Sequence, residues 1–202
     1  MNKILILYAH PNPRRSSINR VLKSAVTDIA GVTVHDLYAN YPNFLIDIKR
    51  EQKLCLENDI IIFQHPFYWY SFPAIMKEWC DLVLEHGWAY GSGITALTGK
   101  IFIHALTAGG DEKSYSKRGS NRFTIDELLR PRQATAQLCN MEWLPPFAIL
   151  GMHKGMPSTT IEAHALTYRT LILALRDGRV NLKKASKARY LNENIGKIIE
   201  DI

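Results

Sequence analysis

The chain has 202 residues, enough for one domain with a sizeable core, and its 47% hydrophobic and 22% charged content is ordinary for a globular protein. Its net charge of +6 is spread along the sequence, and aromatic residues do not interleave with the basic cluster at 183–189, which argues against a nucleic-acid partner. Cys55, Cys80 and Cys139 are far apart and form no CxxC motif, so we expect buried free thiols rather than disulfides or a metal site. No signal-peptide pattern and no apolar run near 20 residues is present, which predicts a cytoplasmic protein.

The first half of the chain alternates short apolar runs with segments of helical period. Residues 3–9 are apolar after Lys3, which predicts a strand buried on both faces. Apolar residues from Ile18 to Ile29 then recur at helical spacing and predict an amphipathic helix. The patterns that follow predict a strand at 32–37, a loop at 38–47, a polar helix at 48–58, a strand at 60–64 and a helix that begins at Pro73.

The second half continues the alternation. It predicts a strand at 100–106, a polar loop to about residue 121, a helical segment containing Leu138 and Met141, a strand at 147–150, a helix at 159–176, and one further polar helix, loosely docked, from 183 to 202. We expect residues 1–180 to form the domain and 181–202 to extend it. Five strands alternating with helices predict a parallel sheet covered on both faces, in the order 2-1-3-4-5. That order places the loops after strands one, three and four together at the carboxyl edge, where ligands bind.

The loop after the first strand is rich in hydroxyl and amide groups. Its candidate ligand contacts are His10, Ser16, Ser17, Ile18 and Asn19. Ser16 or Ser17 is expected to cap the following helix, and the hydroxyls suit a single phosphate. The absence of GxGxxG argues against a standard dinucleotide-binding unit. From these residues alone, a phosphate site and a simple capped turn are equally supported.

The loops after strands three and four offer flat rings and small residues. The aromatic loop contains Pro66, Phe67, Tyr68, Trp69 and Tyr70, and the glycine turn contains Thr107, Ala108, Gly109 and Gly110. Aromatic faces can pack on a tricyclic ring, and glycines let backbone groups approach a ring edge. A flavin that carries a phosphate needs both of these contacts as well as a binding site for the phosphate. The alternative for the aromatic loop is an aromatic core cluster, and the alternative for the glycine turn is an ordinary tight turn. His65 is expected to be a packing histidine, and His35 has no evident partner in the sequence.

Several motifs in this order resemble one known family. They are Tyr8-Ala9-His10-Pro11, Gln64-His65-Pro66 with Trp69-Tyr70, Thr107-Ala108-Gly109-Gly110, Gly87-Trp88-Ala89-Tyr90-Gly91 and Trp143-Leu144-Pro145-Pro146. The chain resembles the NAD(P)H:quinone oxidoreductases of flavodoxin-like fold, and among them the bacterial ancillary proteins of glutathione-gated potassium efflux systems. The resemblance runs from the first strand to about Leu150.

The resemblance implies FMN rather than FAD as cofactor, with NAD(P)H as co-substrate and a quinone-like acceptor. Hydride would pass from NAD(P)H through the flavin to the acceptor in a ping-pong sequence. By motif position, the first loop would hold the phosphate and ribityl end, the aromatic loop would line the isoalloxazine, and the glycine turn would bind its pyrimidine edge.

The resemblance also implies roles for residues outside those three loops. Tyr115 matches a tyrosine that bonds near flavin N1 and O2, and Asn121 falls where the animal enzymes have a histidine. Asn121 can donate a hydrogen bond but cannot take a proton, so the family's acid/base relay is altered here. Trp88 and Tyr90 match aromatics that line the substrate slot across a homodimer interface. The alternative function is that of a regulatory subunit docked, peripherally at the inner membrane face, on a potassium/proton antiporter.

Overall fold

The computed structural model describes residues 1–12, 14, 16–93 and 95–200, with the backbone alone at Lys154. Parts of the first loop (residues 13 and 15) and the last two residues of the predicted terminal helix lie outside this description. The strands are β1 Ile4–Tyr8, β2 Val32–Asp36, β3 Ile60–Pro66, β4 Ile101–Thr107, β5 Glu142–Trp143 and β6 Phe147–Ile149. The α-helices are α1 Ile18–Ser24, α2 Leu37–Asn40, α3 Ile48–Leu56, α4 Ala74–Val83, α5 Ile125–Leu138, α6 Ser158–Arg176, α7 Leu182–Ala185 and α8 Ile195–Ile198.

The strands form one parallel sheet in the order β2-β1-β3-β4, with β5 and β6 both paired to β4. The predicted order 2-1-3-4-5 is therefore confirmed. The fifth position is interrupted because Pro145 and Pro146 have no backbone N–H to give to a ladder. The predicted strand at 147–150 corresponds to β6, whereas the short β5 before the prolines was not predicted.

Both faces of the sheet are covered, as the apolar strands require. In β1, Ile4 and Ile6 pack with α1 and α6, while Leu5 and Leu7 pack on the opposite face with α3 and α4. Successive side chains of β1 thus point to opposite faces of the sheet, and both faces are buried. This explains why the strand is an unbroken apolar run in the sequence.

The helices differ from the predicted pattern at two places in the first half. Helix α1 ends at Ser24, although Val26 and Ile29 stay buried through the following turns. The predicted loop at 38–47 begins with α2, whose first turn is capped when Asp36 Oδ1 accepts the Ala39 N–H at 3.2 Å. The carboxylate of Asp36, the last residue of β2, thus caps a short helix that hydrophobic periodicity does not predict.

The C-terminal segment was predicted incorrectly as a single loosely docked helix. It forms the two short helices α7 and α8, because Asn181 caps the first and Asn194, in a left-handed conformation at φ 56°, precedes the second. Tyr190, Leu191 and Ile198 are buried in the protein core. The segment is therefore an integral part of the packed structure.

The three cysteines are free, with Cys55 and Cys139 buried and Cys80 partly buried, as predicted. Burial raises the pKa of each thiol, to about 11 for Cys139. Within the described ranges, no helix combines the length and apolar character needed to cross a membrane.

Candidate functional site

The loops after β1, β3 and β4 meet at the carboxyl edge of the sheet. The register aligns Tyr8 with Gln64 and Pro66 with Thr107, so the strands deliver their following loops side by side. Two adjoining cavities open there, one of about 590 Å³ and one of about 290 Å³. They share lining from Phe67 and Trp69, so together they form one elongated cleft.

His10 and Ser16 line the larger cavity from the first loop. The Oγ of Ser16, a buried residue, accepts the Arg20 N–H at 3.2 Å and so caps α1. Ser17 is exposed and makes no capping bond in the described part of the chain. His10 Nδ1 accepts the Asn12 N–H at 3.1 Å, and burial lowers the pKa of His10, so this imidazole is neutral at neutral pH.

Asn19 ties the first loop to the glycine turn. Its Nδ2 donates to Thr107 Oγ1 at 2.7 Å, and its backbone carbonyl accepts from Gln64 Nε2 at 2.9 Å. The side chain is buried, yet its Oδ1 has no hydrogen-bond donor among the described residues. An acceptor buried without a donor costs stability, so a ligand hydroxyl or N–H at this position fits the site.

The aromatic loop presents rings to solvent rather than to the core. The Trp69 side chain is 93% exposed. The φ angle is positive at both Trp69 (49°) and Tyr70 (60°). Bulky residues rarely adopt this conformation, and strain of this kind concentrates at binding sites. The alternative of core packing holds for Phe67, which is buried edge-to-face with Tyr115 at 6.1 Å between ring centroids. Trp69 is instead available as a flat surface over the cleft.

The glycine turn is backed by a segment that sequence reasoning missed. Gly151, Met152 and His153 lie alongside it, and their backbone N–H groups donate to the carbonyls of Gly110, Ala108 and Gly109 at 2.8, 3.2 and 3.1 Å, respectively. His153 then lies directly over Gly109, where an added Cβ would come within 2.0 Å of its Nε2. The segment follows β6, which is the fifth strand of the predicted order. Because the carboxyl ends of parallel strands meet at one edge of the sheet, the topology alone could have predicted this loop as a fourth part of the site.

Tyr115 and Asn121, to which the resemblance gives roles beside the flavin, both line the smaller cavity. Tyr70 OH donates to Asn121 Oδ1 at 3.2 Å, which connects the aromatic loop to the loop after the glycine turn. Burial raises the pKa of Tyr115, with the nearby phenols of Tyr70 and Tyr190 adding to the effect. Tyr115 is therefore a protonated hydrogen-bond donor at neutral pH.

Some predicted site residues point elsewhere. The Ile18 and Ala108 side chains are buried in apolar clusters, and both backbone groups of Ala108 are bonded, its N–H to the Ile149 carbonyl at 2.8 Å. Trp88 and Tyr90 pack against the α3–α4 side of the sheet and are not among the described residues that line the cleft. Their predicted substrate role would need a second copy of the chain and stays a prediction.

Comparisons with known proteins agree with this architecture. The profile described as flavodoxin-like fold matches residues 2–172. The glutathione-regulated potassium-efflux system ancillary protein KefG of Pectobacterium atrosepticum is 50% identical over 155 residues, covering 77% of this chain and 85% of that protein.

Two solved structures provide further likenesses. General stress protein 14 of Treponema denticola, in complex with FMN, is 37% identical with a TM-score of 0.80, covering 86% of this chain and 99% of that chain. An NADPH-quinone reductase from P. pentosaceus is 32% identical with a TM-score of 0.75, covering 84% and 96%. The profile spans most of the sequence and the similarity covers at least 85% of each of these relatives, so the chain belongs to the flavodoxin-like fold family.

Proposed function

We propose that the protein binds FMN in the cleft and acts as an NAD(P)H:quinone oxidoreductase. The observation that carries this proposal is the convergence of a hydroxyl-bearing loop, exposed aromatic rings and a glycine turn on one elongated cleft. Two similar proteins support it, one described in complex with FMN and one described as an NADPH-quinone reductase.

The described residues suggest how FMN would be held. His10 and Ser16 would contact the phosphate end, since both line the larger cavity. Asn19 Oδ1, which lacks a donor in the described chain, would accept from the ribityl hydroxyls. Trp69 would pack on a ring face, and the glycine turn, with His153 lying over Gly109, would border the ring edge.

When bound, FMN supplies two-electron chemistry, taking hydride from NAD(P)H and passing it to an acceptor such as a quinone. The contribution of the chain is orientation and charge stabilisation. The raised pKa of Tyr115 keeps its hydroxyl protonated, so it can donate to an oxygen or nitrogen that becomes negative. Asn121 accepts from Tyr70 through Oδ1, so Nδ2 is the group that it would offer as a donor at the same cavity.

Spectroscopy and turnover test the proposal together. We expect the purified protein to acquire flavin absorbance on addition of FMN and to oxidise NADH or NADPH when a simple quinone is supplied. Protein that takes up no FMN would refute cofactor binding. Protein that binds FMN but turns over neither nucleotide would refute the enzymatic part alone.

The two serines of the first loop provide a matched pair of variants. Ser16→Ala is expected to weaken FMN binding by about 10-fold, the effect of losing one hydrogen bond to a charged group. Ser17→Ala should leave binding within about 2-fold, because Ser17 is exposed and lies off the cavity lining. Titration of flavin fluorescence measures both dissociation constants. Equal effects of the two substitutions would contradict the assigned positions.

A second candidate function is regulation of a potassium/proton antiporter. The 50% identity to an ancillary protein of a glutathione-regulated potassium-efflux system, over 85% of its length, favours it. In that case the protein would act at the cytoplasmic face of the membrane, and redox turnover would be secondary. Co-expression with such an antiporter should then increase potassium efflux, and an inactive but FMN-loaded variant should retain the effect.

A further inference from the structure

The segment after α6 lies beyond the part of the chain that matches the family, which ends at residue 172. It nevertheless runs back to the sheet next to the cleft. The Asn192 side chain bonds both backbone groups of Ala148, with 2.9 Å for each contact, and the Leu191 N–H donates to the Pro146 carbonyl at 2.9 Å. These bonds fix residues 189–192 against β6, whose following loop borders the cleft.

Tyr190 extends from this anchor into the apolar cluster behind the smaller cavity. It is buried in the same apolar cluster as Phe67 and Tyr115, two of the rings that line the smaller cavity. The two phenols are close enough that Tyr190 contributes to the raised pKa of Tyr115. Tyr190 therefore belongs to the apolar cluster that holds Tyr115 on its buried side.

Arg189 makes a second link to the same loop. Its guanidinium lies over the Tyr190 ring, 4.9 Å from the centroid, and its Nη1 donates to Glu112 Oε1. Arg189 and Glu112 are both largely exposed, and exposed ion pairs contribute little on their own. The buried Tyr190 ring is thus the principal contact and the ion pair a supplementary one.

The loop itself has little freedom to repack. Asn121 N–H donates to the Ser114 carbonyl at 3.1 Å, which folds the loop back on itself. At Gly119, an added Cβ would lie 2.1 Å from the Lys113 carbonyl oxygen, so the backbone is already in close approach. Because the loop at 112–121 is tightly folded, we expect it to move as a unit, with its position set by the residues that pack against it.

We infer that the C-terminal segment is a brace for the cleft, in which Tyr190 is a positioning residue for the loop that carries Tyr115 and Asn121. The consequence for turnover rests on the proposed function, whereas the support of the loop does not.

Hydrogen exchange tests the brace on the full chain without any ligand. In Tyr190→Ala we expect amides of residues 112–121 to exchange about 10-fold faster, while β1 and β4 keep their protection. Tyr190→Phe keeps the ring and should restore wild-type exchange, and Lys197→Ala, an exposed change in the same segment, should have no effect. Unchanged exchange at 112–121 in Tyr190→Ala, or equal acceleration throughout the chain, would overturn the inference.

Kinetics on FMN-loaded protein supply the second measurement. A displaced Tyr115 loop should lower kcat/KM about 5-fold or more, because Tyr115 is the donor proposed for the charge that develops in the reaction. The loss of FMN affinity should be smaller, because the phosphate end lies in the other cavity. A loss of FMN affinity equal to the change in kcat/KM would oppose the positioning role. If wild-type protein binds no FMN, the proposed function fails and the exchange experiment still decides the brace.

Discussion

Replacing Glu51 by alanine is expected to lower the free energy of unfolding by about 3–5 kcal/mol, the range for removing one partner of a buried charge network. Glu51 is fully buried on α3. It accepts from Tyr41 OH at 2.6 Å and from Trp79 Nε1 at 2.8 Å, and His35 Nε2 lies 2.8 Å from Oε1 without hydrogen-bond alignment. Although burial alone would raise the pKa of Glu51, these partners lower it, so the carboxylate is ionised.

The destabilisation arises because the Tyr41 hydroxyl and the Trp79 N–H lose their common acceptor, and His35 loses the carboxylate beside it. Equilibrium urea unfolding at neutral pH measures it. Glu57→Ala is a suitable control, because Glu57 follows the same helix but is exposed, and its change should stay within about 0.5 kcal/mol. A loss below about 1 kcal/mol in Glu51→Ala would mean that the surrounding groups find other partners.

Acid is expected to destabilise the protein through a buried histidine pair. His65 Nδ1 lies 3.0 Å from the Pro66 carbonyl, which can only accept, so Nδ1 carries the proton and Nε2 accepts from His104 Nδ1 at 2.8 Å. His104 Nε2 then has no donor in the described part of the chain. Burial lowers the pKa of His65 to about 4 and that of His104 well below its usual value, with the Arg132 charge acting in the same direction.

Both histidines are neutral when folded, whereas the unfolded chain binds protons near pH 6.5. Stability is therefore fully present above about pH 6.5 and falls as the pH drops toward 4. His65 alone accounts for about 2 kcal/mol by pH 5 and about 3 kcal/mol by pH 4, and His104 adds to this loss.

Urea unfolding between pH 7 and 5 isolates the pair before most carboxylates titrate. His104→Gln should reduce the pH-dependent loss by about 1–2 kcal/mol. The exposed His86→Gln should leave it unchanged. His10 and His164 also have lowered pKa values, so the difference between variants, rather than the wild-type slope, is decisive. Identical slopes in both variants would contradict the assignment.

Much of the sheet could be predicted from local pattern. The apolar strands, their order and the meeting of three loops follow from hydrophobic period and the rules of parallel α/β folds. The interruption at Pro145 and Pro146 was missed because a two-residue strand has no periodicity. The terminal segment was misjudged because Asn181 and Asn194 divide it through backbone geometry, which composition does not reveal.

The polar interior was much harder to predict. Glu51 sits in a helix that is polar in sequence, and His35 lies on a strand far from it along the chain. Only the packing of α3 against the sheet brings the two together, so no motif marked the pair. The same applies to His153, which reaches the cleft through backbone bonds to the glycine turn.

The contact of Asn192 with β6 also concerns the edge of the sheet. An unpaired strand at the edge of a sheet is a template on which another chain can add, and it promotes aggregation. The amide of Asn192 occupies the outward N–H and carbonyl of Ala148 together, much as a neighbouring strand would. The end of the chain thus satisfies, at Ala148, the outward backbone groups to which an added strand would bond.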